Sequence, residues 1–511
     1  MTAAKRAKQV SVVMIITAFS KCLGFLRDIV LAKYFGAGKV TDAYFVAQVI
    51  PEALFILVVQ AIAVGFIPIY TKIYHDRGKE ESDFFVDNIL KISLFMTVLL
   101  ALFVNLFPYQ IMKVFAAGFD KATAEFTVNF VRISVFAMFF RITVAIYSAY
   151  LQANNQFVAP AFNGIVLDVV SIILIIVAFY TKSIVLAYSI VAASFVQFVM
   201  LFPVVRKHKS LMSFSVIKFN DDVKQMLLLF LPLALGVGAN QLNVIADRTM
   251  ASSIYGAISS LKYAYRVDNV LESIVIMSLA TVMFPVFSKD IAANNMNAFR
   301  KNVLKSMNVV TFTMLPCTVC AIIFSKDVIN LLFGRGAFDS SAVENVSVAM
   351  KYYSVGLVCF SYNAILTRAF YALKKVKLVS IVSIGTLVSN VLMNLLLKPL
   401  MGIGGLALAT SISNIFTTIL LMVLLRKNLE KLFFKHFSVE FLKVVFPSGL
   451  MSLTICTVSL YLKSYYLLSI AASLVVGTVV FFLLCYVAKS SMMEDLFVML
   501  LKKYGGKGKL R

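Results

Sequence analysis

A short charged stretch inside the first apolar segment is the part of this sequence best suited to chemistry. Residues 20–42, SKCLGFLRDIVLAKYFGAGKVTD, place Lys21, Arg27 and Asp28 among apolar neighbours. Charged side chains at membrane depth are costly and commonly face a bundle interior or a water-filled cavity. On a helix, Lys21 and Asp28 share one face, and Arg27 lies about 100° from Asp28. The first helix is therefore predicted to line a cavity, unless its charges form only an intrahelical ion pair that holds helices together.

A second apolar segment extends this group of cations. Arg266 lies in KYAYRVDNVLES, and the planar fork of an arginine matches the oxygens of a phosphate group. Together with Lys21 and Arg27, it predicts an anionic substrate. The same segments hold acidic residues that are expected to be counter-charges, proton carriers or hydrated groups at the membrane interface. They are Asp28, Asp42, Glu52, Asp268 and Glu272.

Polar side chains in the second half of the chain form an oxygen-rich group. They are Asn240, Asn243 and Asp247 in GVGANQLNVIADR, Asn390 and Asn394 four residues apart, and Thr410 in GGLALATS. Carboxylate, amide and hydroxyl oxygens are the ligands that hard cations prefer. Asn and Thr also form hydrogen bonds between membrane helices, and the spacing alone favours that interpretation.

Three more arginines lie within apolar segments. Arg132 and Arg141 could pair with Asp168 on the next segment, or extend their side chains towards the interface. Arg368 is the third, and the sequence assigns it no role.

Composition identifies the class of protein. The chain has 511 residues, of which 61% are hydrophobic, with a mean hydropathy of +0.91 and a formal net charge of +24. A soluble domain is roughly 45–50% apolar, so a polytopic membrane protein is predicted. The basic residues lie mostly at one set of segment ends, as membrane orientation predicts, so nucleic acid is not an expected partner.

The sequence has neither a nucleotide-binding glycine loop nor a credible catalytic triad, and its six cysteines all lie in apolar stretches. We therefore expect a protein that is not an enzyme and cysteines that pack.

Apolar segments of spanning length number about fourteen. They cover residues 9–34, 42–71, 86–109, 122–151, 158–181, 184–205, 222–250, 258–287, 300–325, 340–372, 377–398, 401–425, 439–462 and 466–488. The basic N-terminus is expected to belong to a retained first helix, since no small-residue cleavage site ends the first run. Basic residues cluster after every second span except the fourth, and in the C-terminal tail. Both termini and the loop at 206–224 are therefore predicted to be cytoplasmic.

The sequence also repeats itself. IPIYTK at 67–72 recurs as FPVFSK at 284–289, and RDIVLAKYFGA at 27–37 is echoed by DRTMASSIYGA at 247–257. An offset of six spans preserves orientation, so two parallel lobes are predicted, as in an alternating-access transporter. The predicted domains are an N-lobe at 1–210, a C-lobe at 211–430, and two further spans with a basic tail at 431–511.

The opening of the chain resembles a known family. SKCLGFLRDIVLAKYFGAGKVTDAYFVA is similar to the start of the MurJ (MviN) lipid II flippases, members of the multidrug/oligosaccharidyl-lipid/polysaccharide (MOP) exporter superfamily. The likeness continues through QLNVIADRTMASS, YAYR, LLFGRGAFD and GIGGLALATS, and covers spans 1–12. It implies an all-α polytopic membrane protein with two six-helix lobes in a V around a cationic central cavity. Two additional C-terminal helices are implied to form a groove for a polyprenyl tail.

The resemblance also implies roles for individual residues. The family's substrate-binding positions correspond here to Lys21, Arg27, Asp28, Asp42 and Arg266. The sodium site of some members corresponds to Asp247, Asn390, Asn394, the backbone carbonyl of Leu406, and Thr410. The chain departs from the pattern at Phe55 and Tyr265, where some members have an arginine and an acidic residue, and at Asn394, which is often Asp. One carboxylate fewer predicts a weak or absent sodium site and flipping driven by the membrane potential, about 2.3 kcal/mol per charge per 100 mV.

These features together predict a flippase for undecaprenyl-diphosphate-linked muropeptide, lipid II, moving it from the inner to the outer leaflet. We expect a monomer in the bacterial cytoplasmic membrane, with lipid II and membrane lipids as partners and no cofactor other than sodium as a coupling or structural ion. The alternatives are an exporter of another polyprenyl-diphosphate-linked oligosaccharide, a drug/cation antiporter, and a non-transporting membrane scaffold. A cationic group argues against the antiporter, which needs acidic residues, and charges in several spans argue against the scaffold.

Overall fold

The protein is described here by a computed structural model that covers residues 3–207, 217, 219–426, 431–462, 466–495 and 497. These residues form α-helices and no strands. Outside the described residues lie His208, in the loop predicted to be cytoplasmic, and the basic tail after residue 497.

The helices of the first half are α1 (Ala3–Phe35), α2 (Lys39–Arg77), α3 (Lys79–Leu106), α4 (Pro108–Ala116), α5 (Lys121–Ser134), α6 (Ala137–Ala153), α7 (Val158–Tyr180) and α8 (Val185–Arg206). Those of the second half are α9 (Asp221–Ala251), α10 (Ala257–Ala292), α11 (Met296–Ile323), α12 (Ser325–Phe333), α13 (Ser340–Val355), α14 (Leu357–Ala372), α15 (Val376–Met401), α16 (Ile403–Leu425), α17 (Lys431–Tyr461) and α18 (Tyr466–Val487).

Every predicted span falls on one helix or on two consecutive helices. In the described chain, eight helices are long and apolar enough to cross a membrane, and up to ten spans result if each bent pair counts as one. The prediction of an all-α polytopic membrane protein is confirmed, and a count of fourteen is consistent with the helices.

The structure adds features that the sequence did not predict. The short helices α4 and α12 follow the third and ninth predicted spans, and the fourth and tenth spans are each divided, into α5 with α6 and α13 with α14. The α5–α6 pair bends by 42°. The two short helices begin 217 residues apart, at Pro108 and Ser325, so both halves of the sequence repeat carry the same irregularities.

The chain forms two compact units. Unit 1 contains residues 1–260 and 332–342, and unit 2 contains residues 261–331 and 343–511. Helix α9, which the sequence repeat places at the start of the C-lobe, packs along α2 in unit 1. The lobes predicted from the sequence repeat divide the chain by similarity of its segments, whereas the two units divide it by spatial contacts. The predicted lobe boundaries stay a prediction.

Helix α2 is the centre of unit 1. It packs against α3, α5, α6 and α9, and its aromatic residues Phe55, Phe66 and Tyr70 are buried. Gly65 allows α9 to come close, because a Cβ atom there would lie 2.6 Å from Cγ of Met226. Arg77, in the last turn of α2, forms two hydrogen bonds with the carboxylate of Asp222 in the first turn of α9.

Two turns of unit 1 contain a glycine with a left-handed backbone conformation. Gly36 (φ +64°) lies between α1 and α2, and Gly256 (φ +67°) lies just before α10. Both take the left-handed backbone conformation that glycine tolerates best. A Cβ atom on Gly256 would lie 2.7 Å from the carbonyl oxygen of Ala37, so the α1–α2 turn and the start of α10 are in direct contact. This contact positions the N-terminus of α10 beside α2.

Unit 2 is built around α11, α14, α15 and α16. Its largest buried side chains include Phe287, Phe299 and Phe370, and α17 and α18 pack on each other and on α11. Gly356 separates α13 from α14 and lies against α16, since a Cβ atom there would be 2.8 Å from the Cα atom of Ser411. The break between α13 and α14 therefore packs against α16.

Candidate functional site

Arg27 lies between two carboxylates on the inner side of α1. Its Nε and Nη2 atoms donate to Oδ1 of Asp28 at 3.2 and 3.0 Å, and its Nη1 atom donates to Oδ1 of Asp168 at 3.0 Å. The side chain of Arg27 remains 15% exposed, whereas Asp28 is 2% exposed. The guanidinium is thus held in a fixed orientation by charge-assisted hydrogen bonds within a side chain that is partly exposed.

Close packing of α1 on α7 brings Asp168 to Arg27. A Cβ atom on Gly164 would lie 2.6 Å from Oγ of Ser20, so the two helices touch where these small residues meet. Gly164 and Asp168 are four residues apart and share a face of α7, and Ser20 and Arg27 are seven apart and share a face of α1. The sequence left open whether Arg132 or Arg141 pairs with Asp168, and in the structure Asp168 pairs with Arg27.

Arg141 has a different partner. Its Nη1 atom lies 2.6 Å from Oε1 of Glu52 on α2, and its Nε atom donates to Oγ of Ser194 at 3.2 Å. The Glu52 side chain is 46% exposed and is the more exposed partner of this pair. Arg132 is exposed on α5. Unit 1 therefore contains separate arginine–carboxylate groups centred on Arg27 and on Arg141, in addition to the Arg77–Asp222 pair.

Asp42 caps a helix. It lies in the first turn of α2, is 2% exposed, and accepts a hydrogen bond from the backbone N–H of Ser259 at 2.7 Å. Ser259 is in the first turn of α10, where backbone N–H groups have no partner within the helix and the helix dipole favours a negative charge. In this conformation Asp42 holds the turn between α1 and α2 to the start of α10.

The other predicted substrate residues lie on α1 and α10. Lys21 is exposed on α1, about one and a half turns before Arg27. Arg266 is half-buried on α10 and belongs to unit 2. The structure thus places Lys21, Arg27, Asp28 and Asp42 in unit 1, where Arg27 and Asp28 are hydrogen-bonded to each other.

Four of the five predicted sodium ligands meet in unit 2. The side-chain amide of Asn394 donates to Oδ1 of Asn390 at 2.7 Å, and the amide of Asn390 donates to Oγ1 of Thr410 at 3.4 Å. The Thr410 hydroxyl in turn donates to the carbonyl of Leu406 at 3.2 Å. In this conformation the Asn390 oxygen accepts one N–H group and keeps a second lone pair. Asp247, half-buried on α9, belongs to unit 1, and the sodium site stays a prediction.

An apolar cavity of about 490 Å³ lies in unit 2. It is lined by residues of α10, α11, α17 and α18, among them Leu271, Phe312, Met451, Leu474 and Phe481. Its walls are almost entirely hydrocarbon, with the thiols of Cys317 and Cys320 among the few polarisable groups. A cavity of this kind suits an alkyl or isoprenoid chain.

Asp168 is the residue of the site whose partner the sequence analysis left open. Its partner is 141 positions away in the chain, and no local pattern identifies such a pair. The available signal was the spacing of small and charged residues, Gly164 with Asp168 and Ser20 with Arg27. That spacing marks one face on each helix but does not say that the two faces meet.

Known proteins resemble this chain over most of its length. The family model described as lipid II flippase MurJ matches residues 31–477. A probable lipid II flippase MurJ of Rickettsia prowazekii is 28% identical over 490 residues, which cover 93% of this chain and 96% of the relative. The corresponding protein of Buchnera aphidicola subsp. Acyrthosiphon pisum is 30% identical over 411 residues, with 79% and 80% coverage.

Solved structures share the fold. A structure described as lipid II flippase MurJ in an inward closed conformation matches with a TM-score of 0.77 and 24% identity, covering 95% of this chain and 99% of the other. An inward-facing multidrug resistance transporter of the MATE family, in the MOP superfamily, matches with a TM-score of 0.67 and 14% identity, covering 80% and 94%. At these identities the likeness concerns the arrangement of helices.

Proposed function

The chain belongs to the MurJ family of lipid II flippases, and from that premise we propose how its residues handle lipid II. It is a transporter of the inner membrane and not an enzyme. Arg27 binds the diphosphate of lipid II, the polyprenyl tail occupies the apolar cavity of unit 2, and the sugar–peptide head group moves from the inner to the outer leaflet by alternating access. The observation that carries this proposal is the fixed guanidinium of Arg27, in a partly exposed side chain on a membrane helix.

The hydrogen bonds of Arg27 support a role in binding an anion. Moving a diphosphate through a membrane without cations would be prohibitively costly, so a cation must accompany it. Asp28 and Asp168 balance the guanidinium in the absence of substrate, and a diphosphate oxygen can replace the Asp168 oxygen on Nη1. The arginine fork binds phosphate oxygens with defined geometry, which a lysine ammonium does not.

Other predicted residues complete the proposal. Arg266 and Lys21 also bind the diphosphate, as the family resemblance implies. Asp28 orients Arg27, and Asp42 acts at the start of α10, where it caps the helix that carries Arg266. The role of Asp42 is therefore to hold α10 in place, and contact with the substrate is not required of it.

The apolar cavity of unit 2 supports the proposal for the lipid. It is lined by α17 and α18, the two helices outside the sequence repeat, together with α10 and α11. A volume of about 490 Å³ accommodates a segment of an isoprenoid chain. Because α10 carries both Arg266 and the cavity residues Val267 and Leu271, head and tail of one lipid are bound by the same helix.

Orientation, oligomeric state and energy supply belong to the same proposal. Both termini are cytoplasmic, since basic residues cluster in alternate loops. The protein acts as a monomer. The membrane potential drives the movement through charges such as those on α1. Labelling of a cysteine introduced at His208 from outside intact cells would overturn the orientation.

Complementation tests the proposed substrate. We expect the wild-type chain to support growth of a bacterium depleted of its lipid II flippase, and Arg266→Ala to fail although it inserts normally. A sister exporter of another polyprenyl-linked oligosaccharide would not support growth at all. Transport of lipid II in proteoliposomes by the wild type, and its loss in Arg266→Ala, separates a flippase from a membrane scaffold.

A further inference from the structure

Taking the proposed function as given, we propose that the ion pair of Glu52 and Arg141 in unit 1 recognises the head group of the lipid. The pair binds the free ammonium of a diamino-acid residue in the peptide of the muropeptide. Three features of unit 1 support this role. They are the open hydrogen-bonding groups of the pair, the packing that fixes it in place, and its position relative to Arg27.

The Glu52–Arg141 pair leaves one acceptor and one donor open. Nη1 of Arg141 donates to Oε1 of Glu52 at 2.6 Å, and Nε donates to Oγ of Ser194 at 3.2 Å. Within the described part of the chain, neither Oε2 of Glu52 nor Nη2 of Arg141 has a hydrogen bond. The two side chains are 46% and 20% exposed, so packing does not seal the pair. A carboxylate oxygen beside a guanidinium N–H fits an ammonium that has a carbonyl or carboxylate oxygen next to it.

A proline helps to position the helices that carry this pair. Pro51 precedes Glu52 in α2 and has no N–H group, so the carbonyl of Ala47 lacks its usual donor within the helix. The hydroxyl of Ser134, at the end of α5, donates to that carbonyl at 2.7 Å. This bond holds the break between α5 and α6 against α2, and Arg141 follows in the second turn of α6. The position of the pair is therefore fixed by the backbone as well as by its two charges.

A purely structural role does not account for charges at this place. Glu52 lies in the second predicted span and Arg141 in the fourth. Hydrocarbon side chains can link two membrane helices without the cost of desolvating two charges. Ionisable residues within spans commonly face a bundle interior or a water-filled cavity and serve function there. The partial exposure of this pair therefore favours contact with a polar ligand.

The pair lies near the proposed diphosphate site. The hydroxyl of Tyr44 on α2 is within electrostatic range of Arg27 and Asp28, and also of Arg141 and Glu52. Tyr44 and Glu52 are eight residues apart, which is about 12 Å along the helix. An extended peptide of three to four residues spans about 10–14 Å. With the diphosphate on Arg27, a peptide carried by the adjoining sugar can therefore reach Glu52.

The charges of this region favour an ammonium. Asp28, Asp168 and Glu52 are three carboxylates, whereas Arg27 and Arg141 are two guanidiniums, so one negative charge is in excess among these five groups. Glu52 has the most exposed side chain of the five. When a diphosphate binds Arg27, Glu52 is the carboxylate best placed to receive a cationic group of the same lipid.

Two forms of the lipid test this role with the protein unchanged. Proteoliposomes containing the full-length chain are supplied with lipid II whose peptide has a free ammonium, or with the same lipid acetylated at that nitrogen. The KM of the acetylated lipid should be at least about tenfold higher, because one charge-assisted contact is lost. Equal KM values for the two lipids would overturn this inference and leave the flippase function standing. Transport of neither lipid would overturn both.

Matched variants assign the preference to Glu52. Glu52→Gln keeps an oxygen that accepts from Arg141 but removes the charge, so the KM ratio of the two lipids should fall to about one. Asp222→Asn also neutralises a carboxylate that is paired with an arginine of unit 1, and should keep the wild-type ratio. A pair that only links helices would change both KM values by the same factor. An unchanged ratio in Glu52→Gln, or its loss in Asp222→Asn, would overturn the proposal.

Discussion

The two units surround their acidic residues differently. Glu52 of α2 and Glu272 of α10 are 220 residues apart, the offset of the repeat. Glu52 is exposed and pairs with Arg141 of α6, whereas Glu272 is buried and lies within electrostatic range of Arg368 of α14. Both glutamates thus have an arginine of a divided span nearby. The aspartates of the two units differ more: Asp28 and Asp168 share Arg27, whereas Asp268 accepts a hydrogen bond from the hydroxyl of Ser354.

The repeat differs in charge at matching positions. Arg27 and Asp28 in the first half correspond to Asp247 and Arg248 in the second, so the order of charge is reversed. All four of these residues belong to unit 1, whereas Asp268 belongs to unit 2. Unit 1 presents a cation held by acids, which suits an anionic ligand, and unit 2 contains a buried acid held by the hydroxyl of Ser354.

The largest effect is expected at Arg27. Arg27→Ala should abolish complementation, and Arg27→Lys should restore it poorly, because an ammonium cannot reproduce the arginine fork. Removing the cation also takes the Arg27 guanidinium away from Asp28 and Asp168, and breaking a buried ion pair costs about 3–5 kcal/mol. Membrane insertion and unfolding are therefore measured beside growth.

A double variant separates loss of stability from loss of function at Arg27. Arg27→Ala with Asp168→Asn removes one of the two uncompensated acids and should recover part of the stability. We expect no recovery of growth, because the cation that binds the diphosphate is still missing. Growth of this double variant at the wild-type rate would mean that Arg27 has only a structural role.

A smaller effect is expected at Asp168. Asp168→Asn removes the anion that competes with substrate for Nη1 of Arg27, so the affinity for a diphosphate lipid should rise by about tenfold while transport slows because release becomes harder. Asp168→Glu keeps the charge and should lie closer to the wild type. Equal affinity in wild type and Asp168→Asn, with both folded, would show that Asp168 does not compete.

A carboxylate introduced at Asn394 tests whether the Asn390–Asn394 pair can hold a cation. Asn394→Asp removes the amide that donates to Asn390 and places a carboxylate beside an oxygen. The variant should be less stable than the wild type in sodium-free buffer, by about 1–3 kcal/mol, and sodium should recover part of the loss. Thermal unfolding with and without sodium measures both. A loss that sodium does not change would show that this pocket cannot hold a cation even with an added carboxylate.

The smallest effect is expected at the exposed pair Lys39–Asp120. The hydroxyl of Thr123, and then the ammonium of Lys39, hold the pKa of Asp120 below its usual value. A lowered carboxyl pKa stabilises the fold above the unfolded-state pKa, and this contribution is lost as the pH falls through the folded-state pKa. Asp120→Ala should therefore unfold slightly earlier than wild type at neutral pH and alike at strongly acidic pH. A difference that persists unchanged in acid would assign the effect to helix α5 capping alone.

Most of the fold was accessible from the sequence because membrane helices are recognised by their length and apolarity. All fourteen predicted segments fall on helices, as α1 and α7 illustrate. The breaks between α5 and α6 and between α13 and α14 were missed. The first runs through Ser134-Val-Phe-Ala137 without glycine or proline, and only the second carries a hint, Gly356. Apolar composition continues across both breaks, so hydropathy cannot detect them.

The candidate site was accessible in part. Arg27 and Asp28 were identified because charges in an apolar run are costly and therefore meaningful. The pairing of Arg27 with Asp168 and the capping of α10 by Asp42 could not be predicted. Both depend on which helix faces meet across more than a hundred residues, and one sequence does not contain that information. Asp268 was noted as a counter-charge, but its isolation from basic groups is visible only in three dimensions.

Direct binding of the diphosphate tests the central claim about Arg27. The full-length protein in nanodiscs is titrated with undecaprenyl diphosphate and, as a reference, undecaprenyl monophosphate, using wild type, Arg27→Ala and the double variant with Asp168→Asn. We predict that the wild type prefers the diphosphate and that both variants lose about 100-fold or more of that affinity, since a buried charge-assisted contact is removed. Wild-type affinity for undecaprenyl diphosphate in a folded Arg27→Ala variant would contradict the role of Arg27 in binding the diphosphate.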